Sequence, residues 1–262
     1  MELFTQGFPV FLLIFCRITS FFVVVPVFSA RTVPARFKVG IGFFVSYLVF
    51  LTYGTTKQIT PNATYLLTIV QEIMVGLLLG FIVYLFFTVV QTAGALIDLQ
   101  VGFAMANVVD PLTGISAPIT GNFKYMVLLL LFLTMNGHLY LLQALMNSYQ
   151  WIPLELNIYT YIADGTISEF LVKGFSQSFL LAVQIAAPIM VAMFLTDVGL
   201  GFLARTAPQY NVFVIGMPLK ILLGFLLLVL LMPSMSVLFG HLFSLMFDFL
   251  GEFFGAIQGG TD

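Results

Sequence analysis

The chain has 262 residues, of which 61% are hydrophobic and only 8% are charged, and its formal net charge is −2. Soluble domains carry about 25% charged residues, so this chain has too few charges to cover a water-facing surface. The slightly acidic balance gives no basic footprint for nucleic acid, and a single cysteine excludes an intrachain disulfide. The composition therefore predicts an integral membrane protein whose surroundings are lipid or other apolar helices.

Apolar runs long enough to cross a membrane follow one another along the whole chain. They lie near 9–28, 37–53, 66–90, 125–147, 171–195 and 219–239. No low-complexity tract or linker separates them. The sequence therefore predicts an all-α membrane protein in which about six hydrophobic segments form one unit, 1–262.

Two of the runs continue past the point where a bilayer would end them. The third reaches residue 106 and the last reaches residue 257, so each helix would measure roughly 60 Å at about 1.5 Å per residue. Because a hydrocarbon core is about 30 Å thick, these helices must bend or rise out of the bilayer against other protein. Pro233 and Gly240 are the predicted points of bending in the last run.

The basic residues between the runs predict the orientation of the chain. The first, third and fifth connectors hold six Lys and Arg residues, whereas the second and fourth hold two. Because cytoplasmic loops are enriched in Lys and Arg, these three connectors are placed in the cytoplasm and both termini outside. Trp151, in the fourth connector, suits the aromatic belt at the outer face.

Arg17 lies inside the first apolar run, where a charge is costly unless it is paired. Structural pairing with a carboxylate or with helix-end carbonyls is favoured over a functional role, and Glu72 is the candidate partner. Gly76 and Gly80 follow in a GxxxG pattern, which lets another helix approach closely.

A second set of residues, Gly94, Asp98 and Gly102, recurs every four positions and so shares one helical face. Small residues on such a face predict close helix packing. Asp98 is expected to hydrogen-bond to a neighbouring helix. A proton relay is the less favoured interpretation, because one carboxylate does not make a relay.

Two connectors mix polar and apolar residues in the same way, namely NVVDPLTGISAPITGN (107–122) and ARTAPQYNVFVIGMPLK (204–220). A solvated linker has no need of the apolar residues. Irregular backbone near membrane depth is tolerated only where protein buries it or where it lines a cavity. The first connector is therefore either a cytoplasmic loop or a loop that is folded into a channel as a plug.

Motifs of enzymes are missing from the sequence. It contains no HExxH pair, no glycine-rich phosphate loop and no pair of cysteines. We therefore predict a protein that is not an enzyme and that needs no cofactor or metal.

Three stretches resemble the FliR and SctT family, whose members are export-gate subunits of flagellar and injectisome type III secretion systems. They are RITSFFVVVPVFSARTVPARFKVGIGF (17–43), the Asp110-Pro111 pair, and above all RTAPQYNVFVIGMPLKILLG (205–224). In the last, the pattern Arg-x-x-Pro-Gln-x-Asn-Val-Phe-x-x-Gly-x-Pro-x-Lys runs from Arg205 to Lys220. The resemblance extends over essentially the whole chain, in order.

The resemblance implies a fold of long helical hairpins that assembles with FliP and FliQ into a closed cone, much of it above the membrane plane. Residues 1–169 would be the FliP-like part, and 170–262 the FliQ-like hairpin with a C-terminal amphipathic helix. The location implied is the flagellar basal body in the bacterial inner membrane. Other implied partners are FlhB, FlhA, membrane lipid and the unfolded flagellar proteins that are exported.

The resemblance also implies two functional loops. The pore plug would comprise Asn107, Val108, Val109, Asp110, Pro111, Ile115, Pro118 and Ile119. The cytoplasmic hairpin loop would comprise Arg205, Pro208, Gln209, Asn211, Phe213, Gly216, Pro218 and Lys220. The expected role of the second loop is to pack VFVIGM on neighbouring subunits, with Arg205 and Lys220 facing lipid headgroups or FlhB.

Other functions remain as alternatives to the export gate. A transporter of ions or small molecules predicts ionisable residues grouped near mid-membrane on broken helices, whereas Arg17, Glu72 and Asp98 are scattered. A membrane scaffold without a part in the gate is a second alternative, and an injectisome counterpart of the same gate is a third.

Overall fold

A computed structural model describes residues 2–30, 33–54, 64–103, 118–154, 156–209 and 211–258, with only the backbone for residues 2–6. Within these ranges all regular secondary structure is helical, which confirms the prediction of an all-α protein. The α-helices are α1 (Glu2–Val24), α2 (Pro26–Ser29), α3 (Ala35–Val49), α4 (Tyr65–Val101), α5 (Ile119–Thr134), α6 (Gly137–Trp151), α7 (Ile158–Ala163), α8 (Thr166–Thr206), α9 (Val212–Leu231) and α10 (Met235–Gln258).

Among the residues that the structure describes, five helical stretches are long and apolar enough to cross a membrane. They are Gly7–Val24, Ala35–Gly54, Tyr65–Val101, Thr166–Thr206 and Val212–Ile257. A sixth candidate is the pair α5 and α6, whose axes differ by 71°. The prediction of about six hydrophobic segments is thereby confirmed.

The bend between α5 and α6 divides the fourth predicted run, 125–147, into two helices. Asn136 has a φ of 58°, the left-handed conformation that Asn and Gly adopt most readily among the amino acids. Its N–H bonds to the carbonyl of Leu133 at 3.1 Å, and α6 begins at the next residue, Gly137. The Asn-Gly pair therefore ends one helix and begins the other inside a run that hydropathy alone treats as continuous.

Two helices are far longer than a bilayer requires. Helix α4 has 37 residues and α8 has 41, which correspond to about 56 Å and 62 Å at about 1.5 Å per residue. The predicted run of 171–195 is therefore shorter than α8, which extends beyond it at both ends. The polar and glycine-rich sequence near its end lowers hydropathy but does not interrupt the helix.

The last apolar run is broken where proline predicts a break. Helix α9 ends at Leu231, a 3₁₀ turn covers Met232–Ser234, and α10 begins at Met235. Pro233 lies in this turn. The helix is interrupted here because the ring of proline and its missing N–H disfavour continuation of an α-helix. Gly240, the other predicted point, remains inside α10.

The chain divides into two compact units, each built from segments that are distant in sequence. The first unit contains Met1–Leu85, Leu133–Phe175 and Phe243–Asp262, and the second contains Phe86–Phe132 and Ser176–Leu242. The boundary at 169 implied by the resemblance concerns likeness to other subunits and stays a prediction.

Close packing of α1 on α4 in the first unit depends on small residues. A Cβ atom added to Gly76 would overlap Ser20 Oγ and the carbonyl oxygen of Arg17. A Cβ atom on Gly80 would lie 2.9 Å from Val24 Cβ. Because both glycines face backbone or Cβ atoms of α1, the two helices can approach only where side chains are absent.

Candidate functional site

A buried junction around Arg17 joins α1, α4 and α6 in the first unit. The side chains of Arg17 and Glu72 are both 0% exposed. Arg17 Nε donates to Glu72 Oε2 at 2.5 Å and Nη2 donates to Oε1 at 2.8 Å. This two-point contact is the strong geometry of an arginine–carboxylate pair, since it fixes direction as well as distance.

The rest of the guanidinium group closes the C-terminal end of α6. Nη1 donates to the carbonyl oxygen and to Oγ of Ser148 at 3.3 and 3.2 Å, and Nη2 donates to the carbonyl oxygen of Ile152 at 2.9 Å. The ring of Tyr149 lies 4.2 Å from the guanidinium carbon. A cation stabilises helix-end carbonyls, so this Arg17 junction fixes three helices and leaves no nitrogen of the guanidinium without an acceptor.

A second buried junction lies in the second unit, where Asp98 in the last turn of α4 meets the first turn of α5. The backbone N–H of Thr120 donates to Asp98 Oδ2 at 3.1 Å and to Oδ1 at 3.3 Å. Lys124, one turn further along α5, attracts the same carboxylate. A carboxylate at a helix N-terminus satisfies free N–H groups and complements the helix dipole.

Glycine allows the backbones to meet at the Asp98 junction. A Cβ atom on Gly94 would overlap Cα and N of Gly121. Gly102, expected on the same packing face, instead lies just past the end of α4 with a φ of +101°, and a Cβ atom there would meet nothing within 4 Å. Gly102 ends the helix, because an α-helix commonly ends in a left-handed glycine, and no neighbour among the described residues packs against it.

Most of the predicted plug falls outside the residues that the structure describes, namely Asn107, Val108, Val109, Asp110, Pro111 and Ile115. Pro118 and Ile119 are described; Ile119 begins α5 and Pro118 immediately precedes it. The carbonyl oxygen of Pro118 accepts from Asn122 N at 2.9 Å, and the side chain of Ile119 is exposed.

The predicted hairpin loop is mostly helical. Helix α8 continues through Arg205 to Thr206, and α9 begins at Val212 with Asn211 as its N-cap, whose side chain accepts from Val214 N at 3.4 Å. Pro208 and Gln209 lie between the two helices, outside both of them. Phe213, Gly216, Pro218 and Lys220 lie on α9.

A polar cluster lies beside this hairpin, in the second unit, and two of its residues, Asp197 and Gln100, were not singled out from the sequence. Lys220 Nζ of α9 is 2.8 Å from Asp197 Oδ1 of α8 and 3.0 Å from Oδ2, and Gln100 Nε2 of α4 donates to Oδ2 at 3.2 Å. We call these three residues the Asp197 cluster. The signal for it was Asp197, which stands among apolar residues in the second half of α8, together with Lys220, which is isolated in the apolar sequence of α9.

Chemically, both junctions and the cluster use their charges to hold helices together. Among the described residues, no group of three or more His, Cys, Asp or Glu side chains is arranged to hold a metal ion. The exposed pair Lys173–Glu252, at 2.8 Å, likewise joins two helices, α8 and α10.

Comparisons with known proteins agree along the length of the chain. Residues 8–246 match the family described as Bacterial export proteins, family 1. The chain is 41% identical over 238 residues to the Flagellar biosynthetic protein FliR of Bacillus subtilis, covering 91% of this chain and 92% of that protein. It is 33% identical over 239 residues to FliR of Escherichia coli, covering 90% and 89%. It is 34% identical over 215 residues to the Yop proteins translocation protein T of Yersinia pestis, covering 81% and 82%.

Proposed function

Because the chain belongs to the family of bacterial export proteins, family 1, we propose that it is a non-catalytic subunit of the flagellar type III protein-export gate. The observation that carries this function is the similarity to FliR across about nine tenths of both chains. The chain is thus a membrane-embedded component of the flagellar export apparatus. We propose the bacterial inner membrane at the flagellar basal body as its location.

The role we propose is to form, with FliP and FliQ, the closed pore through which unfolded flagellar proteins pass. The pattern of burial supports a hairpin surface that faces lipid and other apolar helices. On the α8–α9 hairpin, Phe194 is 61%, Phe213 66% and Leu222 69% exposed. Exposed apolar surface of this extent fits lipid and neighbouring apolar helices.

The hairpin turn is the proposed contact with the other components. Phe213 and Val214 follow the turn and are both exposed, which supports packing of VFVIGM on a neighbouring subunit. Arg205 is exposed as well and is placed toward lipid headgroups or FlhB, with FlhA as a further component of the apparatus. This assignment keeps the fifth connector in the cytoplasm, as the distribution of basic residues predicts.

The plug remains part of the proposal. Residues 107–122 would close the pore, and residues 1–169 and 170–262 would take the places of a FliP-like and a FliQ-like subunit. The buried Asp98 junction supports this assignment only at the end of the loop, where it holds the start of α5 against α4.

The injectisome gate is the second candidate, because the Yersinia relative is 34% identical to this chain. The flagellar gate is favoured by the 41% identity to the Bacillus FliR. Both candidates are the same kind of export gate and differ in the proteins that they export.

The experiment that tests the function is deletion of the gene for this chain in the bacterium that encodes it, with recovery from a plasmid copy. We expect flagellar filament protein to disappear from the medium and to return with the plasmid. Normal export of filament protein after deletion would contradict the flagellar function. Loss of a different set of secreted proteins would assign the chain to an injectisome.

A further inference from the structure

The last turn of α4 is in contact with three other helices of the second unit. Asp98 receives the N–H of Thr120 from α5. Gln100 donates to Asp197 of α8, and Val101 lies against Gly224 of α9, where an added Cβ atom would be 2.7 Å from the valine methyl groups. This one helical turn thus has contacts both with the start of α5 and with the α8–α9 hairpin.

The polar contacts leave α4 in opposite directions. Residues in an α-helix are about 100° apart, so Asp98 and Gln100 point about 200° apart around the axis. The carboxylate of Asp98 therefore holds α5 on one side, while the amide of Gln100 holds the hairpin on the other. A movement of either neighbour must move the same turn, because helix backbone is stiff over so short a distance.

The hairpin end of this arrangement is itself a chain of hydrogen bonds. The Asp197 carboxylate accepts from Lys220 Nζ with both oxygens and from Gln100 Nε2 with one. Lys220 comes eight positions after the start of α9 at Val212. The position of the hairpin is therefore linked to α4 by a bond from Gln100 to an ionised carboxylate, which is stronger than a bond between two neutral groups.

We propose that Asp98 and Gln100 are positioning residues of the export gate, which couple the α8–α9 hairpin to the first turn of α5 through the last turn of α4. The inference deepens the proposed function, on which its consequence for export rests. The coupling itself is a property of the chain that can be measured without export.

Proximity alone does not establish coupling between two sites. The test is an effect at α5 of a change at Gln100, since Gln100 makes its described hydrogen bond to α8 and not to α5. The Gln100→Leu variant removes the donor to Asp197 and leaves the Lys220–Asp197 pair in place. The Gln100→Lys variant keeps a donor at this position, as an ammonium in place of the amide, and so tests whether a donor to Asp197 is enough to restore the link.

Amide hydrogen exchange, measured by mass spectrometry on the full chain purified with its co-expressed gate subunits, reports the stability of the first turn of α5. We expect Gln100→Leu to speed exchange in residues 120–124 about fivefold, which corresponds to loss of one hydrogen bond. Gln100→Lys should exchange at the wild-type rate. Asp98→Asn weakens the direct contact between α4 and α5, so it should speed exchange in residues 120–124 more than Gln100→Leu does.

Gln150→Leu is the matched control, because Gln150 Nε2 donates to the hydroxyl of Tyr53 at 2.9 Å in the first unit. It removes an amide donor between helices and should leave exchange at 120–124 unchanged. The coupling would be overturned by wild-type exchange in Gln100→Leu, or by equal acceleration in Gln150→Leu.

Secretion of filament protein by the same strains tests the consequence for export. We expect less export in Gln100→Leu and Asp98→Asn at equal amounts of membrane-inserted chain, and recovery in Gln100→Lys. Faster exchange with normal export would overturn the positioning role. Failure of the proposed function would be seen separately, as normal export in the deletion strain.

Discussion

Two ion pairs that join helices in this chain stand in different surroundings. Arg17 and Glu72 are both 0% exposed and every nitrogen of the guanidinium has an acceptor. Lys220 and Asp197 are 19% and 43% exposed, on helices whose outward side chains are largely apolar. Because a charge facing lipid is costly, the first pair belongs to a finished core and the second to a surface that other protein is expected to cover.

The same difference extends to the helices that carry these pairs. Within Tyr65–Val101, 61% of the residues are buried in the apolar 18-residue stretch that could cross a membrane. In the corresponding stretch of Val212–Ile257, 11% are buried. One region is stabilised by contacts within the chain, whereas the other keeps its apolar side chains available. Stability and export are therefore expected to respond differently to substitutions in the two regions.

The largest loss of stability is expected from Glu72→Ala. This variant leaves the buried Arg17 without its counter-charge and should lower the free energy of unfolding by roughly 3–5 kcal/mol. Thermal unfolding of the chain in detergent would measure the loss. The double variant Arg17→Met with Glu72→Met should lose less, because no charge stays buried. If Glu72→Ala unfolded at the same temperature as the wild-type chain, the Arg17 junction would not be what holds the first unit together.

A smaller loss is expected from Gly94→Ala, which places a methyl group against the backbone of Gly121. Overpacking of this kind costs about 1–3 kcal/mol. Gly199→Ala on α8 is the matched control, since its Cβ atom would meet nothing within 4 Å and alanine is the better helix former. The same unfolding measurement should therefore show a loss for the first and no loss for the second. Equal effects would contradict the close approach of α4 and α5.

Lys220→Met sharpens the comparison from the side of the hairpin. The pair is partly exposed, so its contribution to the stability of the isolated chain should be about 1 kcal/mol or less after solvent screening. Export of filament protein should nevertheless fall, because the Asp197 cluster loses its cation. Thermal unfolding and secretion of filament protein, measured on the same variant, would show whether export falls without a matching loss of stability. A large loss of stability, together with a loss of export of similar extent, would mean that the cluster is an ordinary core contact.

The smallest change in stability is expected from the double variant Pro208→Ala with Gln209→Ala in the hairpin turn. Exposed turn residues away from buried contacts usually change stability by less than about 0.5 kcal/mol, so membrane insertion should remain intact. Export should be impaired if the turn contacts other gate components. Asp164→Ala, in the exposed turn between α7 and α8, is the control for insertion and secretion. Normal secretion by the double variant would remove the turn from the gate.

Some features of the fold could be predicted because they depend on local chemistry. The apolar runs required helices, and Pro233 required a break in the last of them. The carboxylate that pairs with Arg17 could be named because Glu72 is isolated in apolar sequence. Such predictions need only the period of the helix and the cost of an isolated charge.

Other features depended on backbone groups and on tertiary neighbours that side-chain identity does not reveal. Ser148 and Ile152 bind Arg17 through carbonyl oxygens, which every residue possesses. Gly102 fitted the spacing of a packing face, but the helix ended one residue earlier. The link from Gln100 to Asp197 crosses 97 positions of sequence, and no local pattern joins residues so far apart.

Native mass spectrometry of the tagged chain, co-expressed with the FliP and FliQ homologues of the same source, tests the central claim most directly. We expect one copy of the chain in a large hetero-oligomer, because its hairpin surface is completed by other subunits. A lone monomer or a homodimer that leaves these partners unbound would contradict the assignment to the gate.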